Sequence, residues 1–282
     1  MGMINDMALF WCRTVPVEHG KDRLERFIRR PSSSESAPFR GQHDVTYELD
    51  WADGTPSIMW KIYTRGIHER NTYRHIVSMF RGGLFGEKPV FLDIGANIGS
   101  YALNVAKLAP HSTVHAFEPN PIAIDYLERN IALNGVSNVR VHKFGLSREV
   151  ASFPLYNDSL SQASIHKKGG TGRFLEISVK PLDLVAEEEG IDRVDLIKID
   201  VEGHESAVLD GALRTFEKNK RLVVIMEIDR NADLVGTREQ LFERMLNMGF
   251  SAYLPKGYPF SMKRVRELAP TYEDNVIFRR GF

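Results

Sequence analysis

From about residue 89 the chain alternates short apolar runs with longer segments of helical spacing. The apolar runs are Val90 to Ile94, Thr113 to Phe117, Val139 to Phe144, Val194 to Ile199 and Leu222 to Ile228. Helical patterns fall between them, near 98–108, 120–134, 204–218 and 237–248. This rhythm predicts an α/β fold with a doubly wound, mostly parallel sheet. Residues 150–180 interrupt it. There Ala151 to Tyr156 and Leu175 to Lys180 read as strands around a polar, glycine-rich stretch. Phe250 to Leu254 and Asn275 to Phe278 predict a closing strand pair.

Before residue 85 the pattern is different. Residues 1–30 have amphipathic helical character, and Pro31 to Pro38 is a breaker-rich linker. Val45 to Leu49 and Ser57 to Tyr63 both alternate in strand fashion, with Asp53-Gly54 between them, which predicts a β-hairpin. Residues 69–80 predict a helix ending near Gly82-Gly83. The expected organisation is an N-terminal helix, linker and hairpin extension over 1–84 and an α/β domain over 85–282.

Composition narrows the function classes. Hydrophobic residues make up 43% and charged residues 26%, ordinary values for a globular chain. Lys plus Arg and Asp plus Glu are both 37, so no basic footprint points to nucleic acid. The apolar run Met7 to Cys12 is too short for a signal peptide or a membrane span, and Asp6 breaks a myristoylation motif. Cys12 is the single cysteine, so an internal disulfide is excluded and a cytoplasmic location is expected.

The first candidate for chemistry is the loop Gly95-Ala96-Asn97-Ile98-Gly99, where a strand ending in Asp93-Ile94 meets a helix. Glycines there let backbone approach a ligand closely. A tight strand-to-helix turn would use the same glycines. The second candidate is Glu118, 25 residues after Asp93, at the end of the next strand. An acid in that place accepts hydrogen bonds from two ribose hydroxyls. These two features suit both NAD and S-adenosylmethionine (SAM). A dinucleotide site prefers G-x-G-x-x-G for its pyrophosphate, whereas Asn97 can hydrogen-bond an amino acid end, so the loop leans toward SAM.

The third candidate is Asp195-Leu196-Ile197-Lys198-Ile199-Asp200-Val201-Glu202-Gly203-His204-Glu205. A buried strand here delivers several ionisable groups to a turn before a helix. Helix capping and strand termination are the bland readings, strongest for Glu205.

Together, Leu92 to Gly99, Ala116-Phe117-Glu118-Pro119-Asn120 and Asp195 to Gly203 resemble the signature blocks of the FkbM methyltransferase family, with similarity over about residues 85–280. The resemblance implies a class I methyltransferase fold, Rossmann-like with a seven-stranded sheet, and SAM as methyl donor. It implies a hydroxyl acceptor on a sugar, glycan, small molecule or polyketide-type natural product. Gly95, Asn97 and Gly99 would wall the SAM amino acid end, with Asp93 ordering the loop or reaching the amino group through water. Glu118 would hold the ribose, beside Asn120. Gly145-Leu146-Ser147 stands where many such enzymes place an acid, so adenine would be read by backbone groups near Leu146 and Ser147. Asp200 lies on both the cofactor and the catalytic side.

Methyl transfer to a hydroxyl needs alignment and a base. His204 is the first candidate base, because a helix N-terminus disfavours imidazolium. Glu202 is the second, or orients the histidine. A rival mechanism places Mg²⁺ on Asp200, Glu202 and Glu227; it is not favoured, and no His or Cys cluster suggests zinc. Residues 157–173 are expected to form a substrate lid, with Gln162, Ser164 and His166, together with Glu227, as candidate acceptor contacts. The alternatives are an NAD-dependent oxidoreductase and a non-catalytic SAM-binding scaffold. The N-terminal extension is a candidate homodimer element.

Overall fold

The computed structural model describes residues 2–15, 21–25, 27–28, 38–48, 57–156, 174–228, 238–257, 260–269, 272 and 274–282. The expected lid at 157–173, with Gln162, Ser164 and His166, lies outside the described residues, as does Asp53-Gly54.

The chain opens with α1 (Gly2–Thr14) and α2 (Lys21–Glu25), then β1 (Phe39–Arg40) and β2 (Thr46–Tyr47), which pair antiparallel. α3 (Ser57–Arg65) and α4 (Arg70–Arg81) follow. The alternating units are β3 (Val90–Ile94), α5 (Ser100–Leu108), β4 (Thr113–Phe117), α6 (Pro121–Asn134), β5 (Val139–His142) and β6 (Gly145–Leu146). Next come β7 (Ala151–Tyr156), β8 (Phe174–Lys180), α7 (Leu182–Glu188), β9 (Leu196–Ile199), α8 (Glu205–Asp210), α9 (Leu213–Lys218) and β10 (Leu222–Ile228). α10 (Arg238–Asn247), β11 (Ser251–Lys256), β12 (Ser261–Val265) and β13 (Asp274–Arg280) close the chain.

Among the described residues the main sheet has eight strands in the order β12-β11-β13-β10-β9-β3-β4-β5. β10, β9, β3, β4 and β5 run parallel, and β13 joins β10 antiparallel. This is the Rossmann-like class I methyltransferase arrangement that the resemblance implies, with β12 added at the edge. The central parallel strands β3, β4, β9 and β10 are mostly apolar and almost wholly buried, as helices on each side require, whereas the edge strand β5 exposes Arg140. From β3 the chain winds first to β4 and β5, then crosses back to β9 and β10. The switch point therefore lies between β3 and β9, where open α/β sheets bind ligands at the carboxyl edge. β7 and β8, both expected as strands, pair antiparallel in a separate three-stranded sheet with β6.

The predicted hairpin is corrected. Ser57 to Tyr63 is helical, inside α3, and β2 pairs with β1 instead. The apolar set Ile58, Met59 and Ile62 reads as i, i+1, i+4, and those three are the buried residues that meet Ile98, Leu103 and Tyr126 of α5, α6 and the loop before them. Residues of the N-terminal extension thus share cores with the α/β domain. Ile67, Tyr73 and Ile76 pack into one with Phe91 and Val105. Further out, Cys12 is fully buried with Ala8 and Ile28 against Trp60 and Tyr63. No described helix is long and apolar enough to cross a membrane.

Candidate active site

The Gly95–Gly99 loop leaves β3 and turns back on its neighbours. The N–H groups of Gly95 and Ala96 both donate to the Phe117 carbonyl at 3.0 Å, and that of Gly99 donates to the Ala96 carbonyl at 2.8 Å. Asn97 adopts φ 50, which asparagine tolerates better than most side chains, and its Oδ1 accepts from the Ile98 N–H at 2.8 Å. The Asn97 N–H donates to Glu118 Oε2 at 2.8 Å. Every N–H of the loop is therefore used within the protein, which leaves none for a pyrophosphate. Gly95 is required twice over: φ is +85, and a Cβ would lie 1.9 Å from the Asp200 carbonyl oxygen. That close approach fastens the β3 loop to the end of β9.

Glu118 is buried at the end of β4, and its Oε1 accepts from the Asn120 N–H at 2.8 Å. Each carboxylate oxygen keeps a second lone pair for a further donor. Burial pushes the Glu118 carboxyl up to about 7, against the opposing pull of the Asn120 and Asn97 N–H groups. Asn120 caps α6 by accepting from Ile122, while its Nδ2 is buried with no acceptor. Asp93 is buried beneath the loop and accepts from the Ala102 N–H at 2.8 Å, in the first turn of α5. Burial raises its carboxyl to about 7, with Lys198 as the main opposing influence.

A second set gathers at the ends of β9 and β10. The Lys198 ammonium, fully buried, lies 3.0 Å from Asp200 Oδ2. Burial alone would lower its pKa, but Asp200, Glu69 and Glu227 together hold it above the usual lysine range. Asp200 and Glu227 share a side-chain hydrogen bond. Burial opposes ionisation of Asp200, yet the Lys198 charge and the hydrogen bonds from Glu227 and Lys198 together outweigh it, so Asp200 is the ionised partner. The Asp200 charge, then burial, raises Glu227, which keeps the proton. Among the described residues no three His, Cys, Asp or Glu side chains form a metal cage. Asp200 is instead neutralised by an ammonium and a shared proton.

Glu202 takes φ 52 in the turn and is half-buried. His204 immediately precedes α8 and is buried with Nε2 2.9 Å from the Ser147 hydroxyl, its ring edge-on to Phe153 of β7 at 6.0 Å. Glu205 is buried and accepts from the Gly203 N–H at 3.2 Å. So the structure brings Gly95, Asn97, Glu118 and Asn120 together, and joins Asp200 to Glu227. His204 faces the Leu146–Ser147 segment instead. Sequence reasoning did not single out Lys198, Glu69, Tyr101 or Asn275. Lys198 alone carried a local signal, as a charged residue inside an otherwise apolar strand.

Residues 93–252, more than half of the chain, match the family described as the methyltransferase FkbM domain. Methyltransferase 1 of Beauveria bassiana is 32% identical over 148 residues, covering 45% of this chain and 59% of its own length. Methyltransferase sdnD of Sordaria araneosa is 29% identical over 194 residues, covering 57% and 73% respectively. The 31-O-demethyl-FK506 methyltransferase FkbM of Streptomyces tacrolimicus is 31% identical over 181 residues, covering 53% and 67%.

Proposed function

The chain belongs to the FkbM methyltransferase family, and from that premise we propose that it transfers a methyl group from SAM to a hydroxyl of a small-molecule, sugar, glycan or polyketide-type acceptor. The observation that carries the reading is the internally satisfied Gly95–Gly99 loop docked on Glu118 at the switch point of the sheet. It suits a ligand with a ribose and no phosphate. The buried Asn120 Nδ2 adds a donor beside the ribose position. The name of the Streptomyces tacrolimicus relative, a methyltransferase of an O-demethyl compound, supports oxygen as the atom methylated.

When bound, SAM supplies a methyl carbon already activated by its sulfonium. Glu118 accepts from the ribose hydroxyls, and the loop from Gly95 to Gly99 encloses the amino acid end. His204 removes the acceptor proton. Ser147, at hydrogen-bond distance from Nε2, sets the tilt of its ring, and Glu202 lies two residues before it on the same turn. Asp200 and Glu227 line the acceptor side. Such alignment contributes several kcal/mol to the barrier reduction, and a placed base typically adds ~10²–10⁴-fold.

Calorimetry with SAM, S-adenosylhomocysteine and NAD tests the reading. Binding of the first two and not of NAD is expected. Binding of NAD alone would overturn it in favour of an oxidoreductase.

A further inference from the structure

The family match begins at residue 93, yet an earlier residue reaches the site. Glu69 precedes α4 in the left-handed region, at φ 47 and ψ 53. Holding a non-glycine residue there is strained, and such residues persist where surrounding contacts fix them. Glu69 Oε2 accepts from the Tyr101 hydroxyl at 2.5 Å and stands 3.9 Å from the Lys198 ammonium. Its Oε1 accepts from Asn275 Nδ2 at 2.8 Å. Tyr101 lies on the first turn after the glycine loop, Lys198 on β9, and Asn275 opposite Glu227 in the β10–β13 register. One carboxylate thus ties three separate elements together at the carboxyl edge.

We propose that Glu69 is a positioning residue for methyl transfer, clamping the Lys198 ammonium and the Tyr101 hydroxyl beneath the acceptor side and so fixing Asp200 and Glu227 relative to the SAM loop. Buried ionic networks add little net stability compared with apolar packing, and their best-attested use is to specify one arrangement. Here the arrangement specified is the one the chemistry needs. The Lys198 ammonium also lies 5.3 Å from the centre of the Tyr101 ring, so the two clamped groups face each other as well as Glu69. The inference rests on the methyltransferase reading above.

The test uses the whole chain with SAM and a methyl hexoside or methyl hexuronide as acceptor, reading the S-adenosylhomocysteine released. Glu69→Gln keeps an oxygen acceptor but removes the charge facing Lys198. Its kcat is expected to fall about 10²-fold, the scale of a small misplacement of reacting groups. KM and calorimetric affinity for SAM stay at wild-type values. Tyr101→Phe, which preserves packing, gives the same split to a smaller degree and decides the matter if Glu69→Gln does not fold. Wild-type kcat in both variants overturns the proposal, as does a fall in SAM affinity that matches the fall in kcat. If wild-type protein methylates neither acceptor, the acceptor class is at fault, and the clamp is judged from crystal structures with SAM. Displacement of Lys198 from its place between residue 69 and Asp200 in Glu69→Gln supports it. Unchanged Lys198 and Tyr101 positions refute it.

Discussion

Glu118 Oε2 accepts a 2.8 Å hydrogen bond from the backbone N–H of Asn97, so the acid at the end of β4 also shapes the loop after β3. Glu118→Gln keeps one oxygen acceptor but loses the charge that ribose hydroxyls would meet. SAM affinity is expected to fall by the equivalent of about 1.5–3 kcal/mol for each charge-assisted hydrogen bond lost. Unchanged calorimetric affinity in the folded variant would exclude the ribose role.

The same carboxyl gives a pH dependence. Burial holds Glu118 near 7, so in the ligand-free protein it is protonated below that value and ionised above it. Ribose hydroxyls donate to the ionised form. SAM affinity is therefore expected to be maximal above about pH 7 and to weaken as pH falls, by at most about tenfold per pH unit. Glu118→Gln should flatten this slope. A wild-type affinity constant from pH 5 to pH 8, from about two units below to one unit above the Glu118 value, would argue against it.

Gly95→Ala is expected to damage fold and cofactor site together. The added Cβ meets the Asp200 carbonyl oxygen at 1.9 Å, a backbone atom that cannot swing aside as a flexible side chain would. The left-handed backbone alone adds ~1–3 kcal/mol of strain, with the clash on top. Urea denaturation should show a clearly lower midpoint than wild type, with SAM binding lost.

For His204 the expectation is a separation of effects. His204→Ala should lower turnover and leave SAM affinity close to wild type. Ser147→Ala should reduce turnover less, because it loosens the ring without removing the base. If His204→Ala turns over a validated acceptor at the wild-type rate, the base is elsewhere and Glu202→Gln is the next variant to measure.

Lys198→Met leaves Asp200 and Glu69 facing each other's charge without the ammonium between them. Removing one partner of a buried pair costs ~3–5 kcal/mol. Adding Asp200→Asn should restore part of that loss. Equal stability of wild type and Lys198→Met in equilibrium unfolding would contradict the buried pairing.

The parts of the fold that were legible in the sequence are those in which neighbours along the chain are also neighbours in space. Val90 to Ile94 and Leu222 to Ile228 appear with the predicted bounds, because an apolar run bounded by turn residues has few other uses. The loop at Gly95 and the acid at Glu118 were legible for the same reason. Ser57 to Tyr63 was misread because Ile58, Trp60 and Ile62 alternate while Ile58, Met59 and Ile62 share a helical face. Contact with Ile98 and Leu103, later in the chain, decides between them. Glu69 and Asn275 carry no local motif at all. They are 206 positions apart, and only the closed fold makes them partners.

The buried seat of Cys12 has an experimental consequence. α1 and α3 meet around it, with the Arg13 guanidinium donating to the Tyr63 carbonyl across the same seam at 2.9 Å. α3 leads within a few residues to Glu69. A thiol reagent can reach the sulfur only when this seam parts, so the rate of labelling is a clock for local opening beside the site. Slower labelling at saturating SAM than without it would show that occupying the cofactor loop also closes this seam.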